Sequence, residues 1–265
     1  MSEQTPKTNP LLERVSIPGE KFRLPSGGLF YKDGELAESV KDGEVTVMPM
    51  NAMDELLLKS PDKLLSGEAV IDVFERCLPD VVKPGKLLAK DSDYLLMALR
   101  MISYGPTLEL TSKHTCEDAK EHTYQVPIRE LIQKARSIDP TSLKRYELEL
   151  ESGQVVVLHP PRYDATIKVY QMFGIDADEN VNPQELGEQL VESIAEMISS
   201  VDGHEDPDDI REWLKAIRVG DVQLISDKVA ELSDWGVDPT VTLTCKDCGE
   251  EMEVLVPINP ISFFT

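Results

Sequence analysis

Pro239-Thr240-Val241-Thr242-Leu243-Thr244-Cys245-Lys246-Asp247-Cys248-Gly249 is the stretch whose reading decides the fold. It reads as a strand running into a Cys-x-x-Cys turn, with Gly249 placed where the chain must pass through positive φ without a Cβ clash. Val256-Pro257-Ile258 follows it. Near the middle of the chain, Pro106-Thr107-Leu108-Glu109-Leu110-Thr111 leads through Cys116 to Val126-Pro127-Ile128. Two segments that begin and end alike, each with cysteine in the turn, predict two hairpins, about 106–127 and 239–258, facing one another across a shared metal.

Zn²⁺ takes four tetrahedral ligands, and one Cys-x-x-Cys turn supplies two of them. The first hairpin offers Cys116, with His114 and His122 beside it. Counted from the shared Leu-Thr, the place of Cys245 is taken by Ser112, and the path to Val-Pro-Ile is three residues longer. A serine hydroxyl is a poor zinc ligand at neutral pH. The expected set is therefore Cys116, His122, Cys245 and Cys248 around a structural Zn²⁺, with His114 the second choice for the fourth place. Two other readings compete: free thiols in a hydrogen-bonded turn, and a redox dithiol. The second is disfavoured because thioredoxin-like sites place the pair at a helix N-terminus. A catalytic zinc is disfavoured because no His-Glu-x-x-His or comparable pattern exists. Cys77, on an apolar helical face, reads as a small buried hydrophobe.

The chain has 265 residues, 41% hydrophobic and 29% charged, the composition of an ordinary soluble globular protein. Its formal net charge is −22, with acids nearly twice as numerous as bases. Phosphate backbones are bound through clustered Lys and Arg, so direct nucleic-acid binding is not expected. A strong negative field leaves docking onto basic protein surfaces open. No apolar run approaches the ~18–20 residues of a membrane span, and the polar N-terminus lacks the order of a signal peptide. The expectation is a protein of the cytoplasm in which it is made, with its four cysteines reduced or metal-bound.

The fold class expected is α+β: a mostly helical body with short β-hairpins, two of them joined as a zinc-ribbon-like clamp. An extended arm over 1–21 precedes an N-terminal α+β part, 22–136, that contains the first hairpin. In it Leu29-Phe30-Tyr31 and 44–50 read as paired strands. Ser66 reads as the cap of one helix, and Asp91 or Ser92 as the cap of the next. A β-ribbon over 145–158 and a helical run occupy 137–236, with Leu186, Leu190, Ile194, Met197 and Val201 as the longest apolar stripe and Asp206-Pro207 starting a later helix. The C-terminal hairpin, 237–265, packs back on the first. Gly27-Gly28 is no phosphate loop, and neither His159 nor His204 belongs to a nucleophile–base arrangement, so no enzyme activity is expected. The apolar tail Ile261-Ser262-Phe263-Phe264 either folds back or inserts into a partner, with folding back favoured.

The ordered set of pieces resembles the baseplate hub subunit family of T4-like contractile-tailed phages. The residues that carry the resemblance are Leu24-Pro25-Ser26-Gly27-Gly28-Leu29-Phe30-Tyr31, Val45-Thr46-Val47-Met48-Pro49-Met50, Asp54-Glu55 and Asp93-Tyr94-Leu95-Leu96. Arg100-Met101-Ile102-Ser103-Tyr104-Gly105 and the ending from Cys245 to Phe264 complete it. The resemblance implies a structural or assembly protein of the tail hub whose partners are other phage tail or baseplate proteins. It would be found in the host cytoplasm during assembly and in the virion baseplate if retained. Ser112 departs from the second Cys pair that such chains carry. The alternative reading is a zinc-stabilised adaptor that binds host transcription or replication machinery.

Overall fold

The computed structural model describes residues 18–60, 63, 66–116, 120–174, 188, 191–258 and 263. The expected arm up to residue 17 lies outside the described residues, as do the stripe positions Leu186 and Leu190 and the tail positions Ile261, Ser262 and Phe264. The architecture is α+β, with small antiparallel sheets set among helices.

Strand β1 (Glu20–Arg23) pairs with β2 (Glu44–Val47), Phe22 opposite Val45. Leu29-Phe30-Tyr31, expected as a strand, is not one. Residues 25–30 form turns, and Phe30 itself has φ 67°. The chain here presses against Gly43, where an added Cβ would sit 2.5 Å from the Gly27 carbonyl carbon. Turn geometry thus overrides the β-propensity of the three residues, whose side chains pack around Leu88, Ile138 and Trp235.

Helix α1 (Ala52–Leu58) starts in a capping box between Asn51 and Asp54. Helix α2 (Glu68–Cys77) buries Ala69, Val70, Val73, Phe74 and Cys77, one face at helical spacing. Helix α3 (Ala89–Tyr104) is the axis of the first core: Leu95, Leu96, Met97, Ala98 and Leu99 are all buried, so its middle has no solvent face. Asp91, read from the sequence as a cap, does something else. Its Oδ1 accepts the Ser26 N–H at 3.0 Å and its Oδ2 the Tyr31 O–H at 2.8 Å. The Tyr31 oxygen accepts the Leu88 N–H at 3.0 Å. The carboxylate fastens the 25–31 turn to the start of α3, and Leu88 takes the N-cap position.

After α3 come the first hairpin, β3 (Thr107–Lys113) with β4 (Glu121–Pro127), and the short helix α4 (Ile128–Gln133). Strands β5 (Glu147–Glu149) and β6 (Val155–Leu158) form the expected ribbon, but a third strand, β7 (Ile198–Val201), joins β6. The end of the supposed helical stripe is therefore a strand. Residues 191–195 are helical and β7 begins three residues later. Helix α5 (Tyr163–Gly174) packs back toward the first core, and helices α6 (Pro207–Ala216) and α7 (Val219–Glu231) complete the part around this sheet. Asp206 caps α6 through the N–H groups of Asp208 and Asp209, as its sequence indicates. Strands β8 (Thr240–Thr244) and β9 (Glu251–Leu255) form the last hairpin.

Two main apolar clusters result. The first draws on residues from Phe22 to Ile132 and then on Val237, Val256 and Phe263; the second draws on residues from Tyr146 to Leu232. The chain leaves one core, builds another, and returns. Phe263 is 1% exposed and its carbonyl accepts the Arg100 Nε–H, so this residue of the tail folds back. Arg162 pins the crossing point: it donates to Glu35 at 2.9 Å, to the Lys86 carbonyl at 2.7 Å and to the Phe30 carbonyl at 2.9 Å. Both members of the Arg162–Glu35 ion pair are nearly buried.

Candidate metal centre

The second hairpin ends its ladder at Thr244 opposite Glu251, and Cys245 is the first residue beyond it. The turn then closes on itself: the Gly249 N–H donates to the Cys245 carbonyl at 2.9 Å and the Cys245 N–H to the Glu250 carbonyl at 2.8 Å. Gly249 takes φ 79°, the left-handed conformation anticipated for it. This turn points the N–H groups of Cys248 and Asp247 at the Cys245 sulfur. They lower the Cys245 thiol from its ordinary range to about 7.

In the first hairpin the ladder runs two residues further. Ser112 pairs with His122 and Lys113 with Glu121, and the first residue beyond the ladder is His114. His114 is thus the positional counterpart of Cys245 when positions are counted from the strand end rather than from the shared Leu-Thr. Cys116 follows in the same loop. Desolvation and the adjoining sulfurs push its thiol up to about 12.

The two loops meet. One donor atom each from His114, Cys116, Cys245 and Cys248 can be chosen so that all lie within 4.8 Å of one another. Cys116 Sγ is 3.9 Å from Cys245 Sγ, and Cys248 Sγ is 3.3 Å from His114 Nδ1. Cys245 is buried, His114 and Cys116 are half-buried, and Cys248 is exposed. Three of the four residues expected from the sequence come together here; His122 does not join them. Its Nε2 is 2.9 Å from Asp247 Oδ2, which also accepts the Lys120 N–H at 2.9 Å. These bonds hold the Asp247 carboxyl below its usual range, the Lys120 N–H first.

Lys246 adds a further tie between the hairpins, donating to the Thr123 carbonyl at 2.7 Å with its ammonium 5.0 Å from the centre of the Tyr124 ring. Asp247 and Lys246, the two residues inside the Cys-x-x-Cys turn, are contacts that the sequence reading missed. Their position between two cysteines was the available signal. Cys77 lies elsewhere, buried beside Asp54, its thiol pushed up to about 12 by desolvation.

Small sheets, a helical body and a Cys₃His group between two distant hairpins define an α+β protein with a zinc-ribbon-like clamp. The model of the family described as T4 bacteriophage base plate protein matches residues 33–265, a span containing both hairpins, and the chain belongs to that family. Neither the curated proteins nor the solved structures provide a match. Among the described residues no helix is long and apolar enough to cross a membrane.

Proposed function

We propose that this base plate protein is a structural or assembly component of the hub at the centre of a contractile phage tail, acting by docking onto other tail proteins without catalysis. The family match across 33–265 carries this reading, since it takes in nearly the whole described body rather than one motif. The net charge of −22 supports protein partners with basic faces over nucleic acid.

A cleft of about 510 Å³ is lined by Phe30, Arg162, Ile198 and Arg211 among others. Of the four cations on its wall, Lys86, Arg162 and Arg211 are engaged in ion pairs with Asp164, Glu35, and Glu192 and Asp208; the fourth is Lys32. His159, also on its wall, is bonded through Nδ1 to the Pro160 carbonyl, and desolvation lowers its pKa.

The test is quantitative mass spectrometry of purified particles and of tail sub-assemblies, with affinity capture of the intact chain from infected cells. Fixed copy number in the baseplate, or capture with tail proteins from sub-assemblies alone, supports the subunit or the assembly role respectively. Capture of host polymerase, with the chain absent from particles and sub-assemblies, would overturn both.

A further inference from the structure

We propose that His114 Nδ1, Cys116, Cys245 and Cys248 hold one Zn²⁺ as a structural clamp, and that His122 and Asp247 form a separate metal-independent strap beside it. A tetrahedral zinc with Zn–S bonds near 2.3 Å and a Zn–N bond near 2.0 Å sets its sulfurs about 3.8 Å apart and each sulfur about 3.5 Å from the nitrogen. The 3.9 Å between two sulfurs and 3.3 Å between sulfur and Nδ1 lie close to those edges. A disulfide requires about 2.05 Å and is not what the sulfurs form. The four donors come from two loops whose residue numbers differ by about 130, yet among the described residues no ladder joins the two hairpins. Across the loop tips they share the four donors, the Asp247 strap and the Lys246 contact.

The donor set defines the ion. Three thiolates and one imidazole suit zinc, whereas carboxylate and carbonyl oxygen donors would be needed for Mg²⁺ or Ca²⁺. Four protein donors complete the tetrahedron, so the site is closed and structural. The choice of His114 over His122 follows from the register. Extending β3 to Lys113 places His114 at the first loop position, while His122 remains within the ladder and turns its Nε2 to Asp247. Asp247 orders the zinc-bearing turn through this strap without touching the metal.

The experiment uses the full-length chain purified under reducing conditions, with elemental analysis followed by Co²⁺ substitution. We expect one zinc per chain, and with Co²⁺ the sulfur-to-cobalt charge-transfer band and the intense visible bands of a tetrahedral Cys₃His centre. His114→Ala should weaken metal affinity at least 10-fold and alter the visible bands; His114→Cys should restore tight binding with a spectrum shifted toward that of four thiolates. His122→Ala should keep one metal and an unchanged spectrum. Less than about 0.1 zinc per wild-type chain after incubation with Zn²⁺, or a Co²⁺ spectrum altered by His122→Ala and indifferent to His114→Ala, would overturn the assignment. The wild-type stoichiometry and the His122→Ala spectrum decide the matter even if a cysteine variant fails to fold. Neither readout depends on particle composition, so this inference and the proposed hub role fail separately.

Discussion

Replacing Asp91 with Asn should change how stability depends on pH, by an amount set by its burial. Asp91 is inaccessible to solvent, and desolvation raises its carboxyl from 3.8 to about 6, despite the opposing bonds from Ser26 and Tyr31. A carboxyl whose pKa is higher folded than unfolded binds its proton more tightly in the native state. Its stabilising contribution is complete below the unfolded value, near 4, and is lost as pH rises through about 6. A shift of about two units corresponds to about 3 kcal/mol. The stability of the wild type relative to Asp91→Asn should therefore fall by about 2–2.5 kcal/mol between pH 4 and pH 7, the remainder of the shift falling below pH 4.

The assay is urea unfolding at several pH values, followed by Trp235 fluorescence. Trp235 packs with Leu88 and against Tyr31, both part of the Asp91 network, while Trp213 reports on the second core. Asp93, also raised to about 6 by desolvation, titrates in both chains and cancels in the difference. A difference that stays within about 0.5 kcal/mol across this range would refute the argument, because Asp91 would then not be exchanging a proton on unfolding.

Other substitutions probe other joints. Arg162→Met should destabilise by about 3–5 kcal/mol in denaturant unfolding, since Glu35 is left buried without its partner; adding Glu35→Gln should recover part of the loss. Gly43→Ala should cost more than ~1 kcal/mol by the same assay, because its φ is +69° and the new Cβ meets the Gly27–Gly28 backbone. Phe263→Ala should lower stability by about 3–5 kcal/mol through the cavity left beside α3, measured on the Trp235 transition. Asp206→Ala should cost about 1 kcal/mol from the loss of the α6 cap, seen on the Trp213 transition.

Local sequence revealed the elements whose causes are local. Both hairpins, the Asp206 cap and the apolar face of α2 follow from alternation, capping chemistry and helical period. The features misread depend on distant partners. Asp91 looks like a cap, yet its acceptors are used by residues some 60 positions away. Val201 falls on the helical period of Leu190 and Ile194, and only pairing with β6 makes it a strand residue. Leu29-Phe30-Tyr31 has strand composition, but the preceding turn and the close approach of Gly43 leave no extended path. His114 stood second to His122 for the fourth place for a similar reason: counting along the chain cannot show that β3 runs two residues beyond its counterpart. Cys116, Cys245 and Cys248 were legible because thiols are scarce and their spacing is informative.

The return of the chain to its first core constrains the order in which the protein can fold on the ribosome. Vectorial synthesis ordinarily favours the N-terminal unit. Here the hydrophobic interior around α3 stays open until Val256 and Phe263 have cleared the exit tunnel, whereas every residue of the second cluster has been made by Leu232. The nascent polypeptide should acquire protease resistance in its later half before its earlier one. Until then the unfilled interior remains a surface that a chaperone could shield.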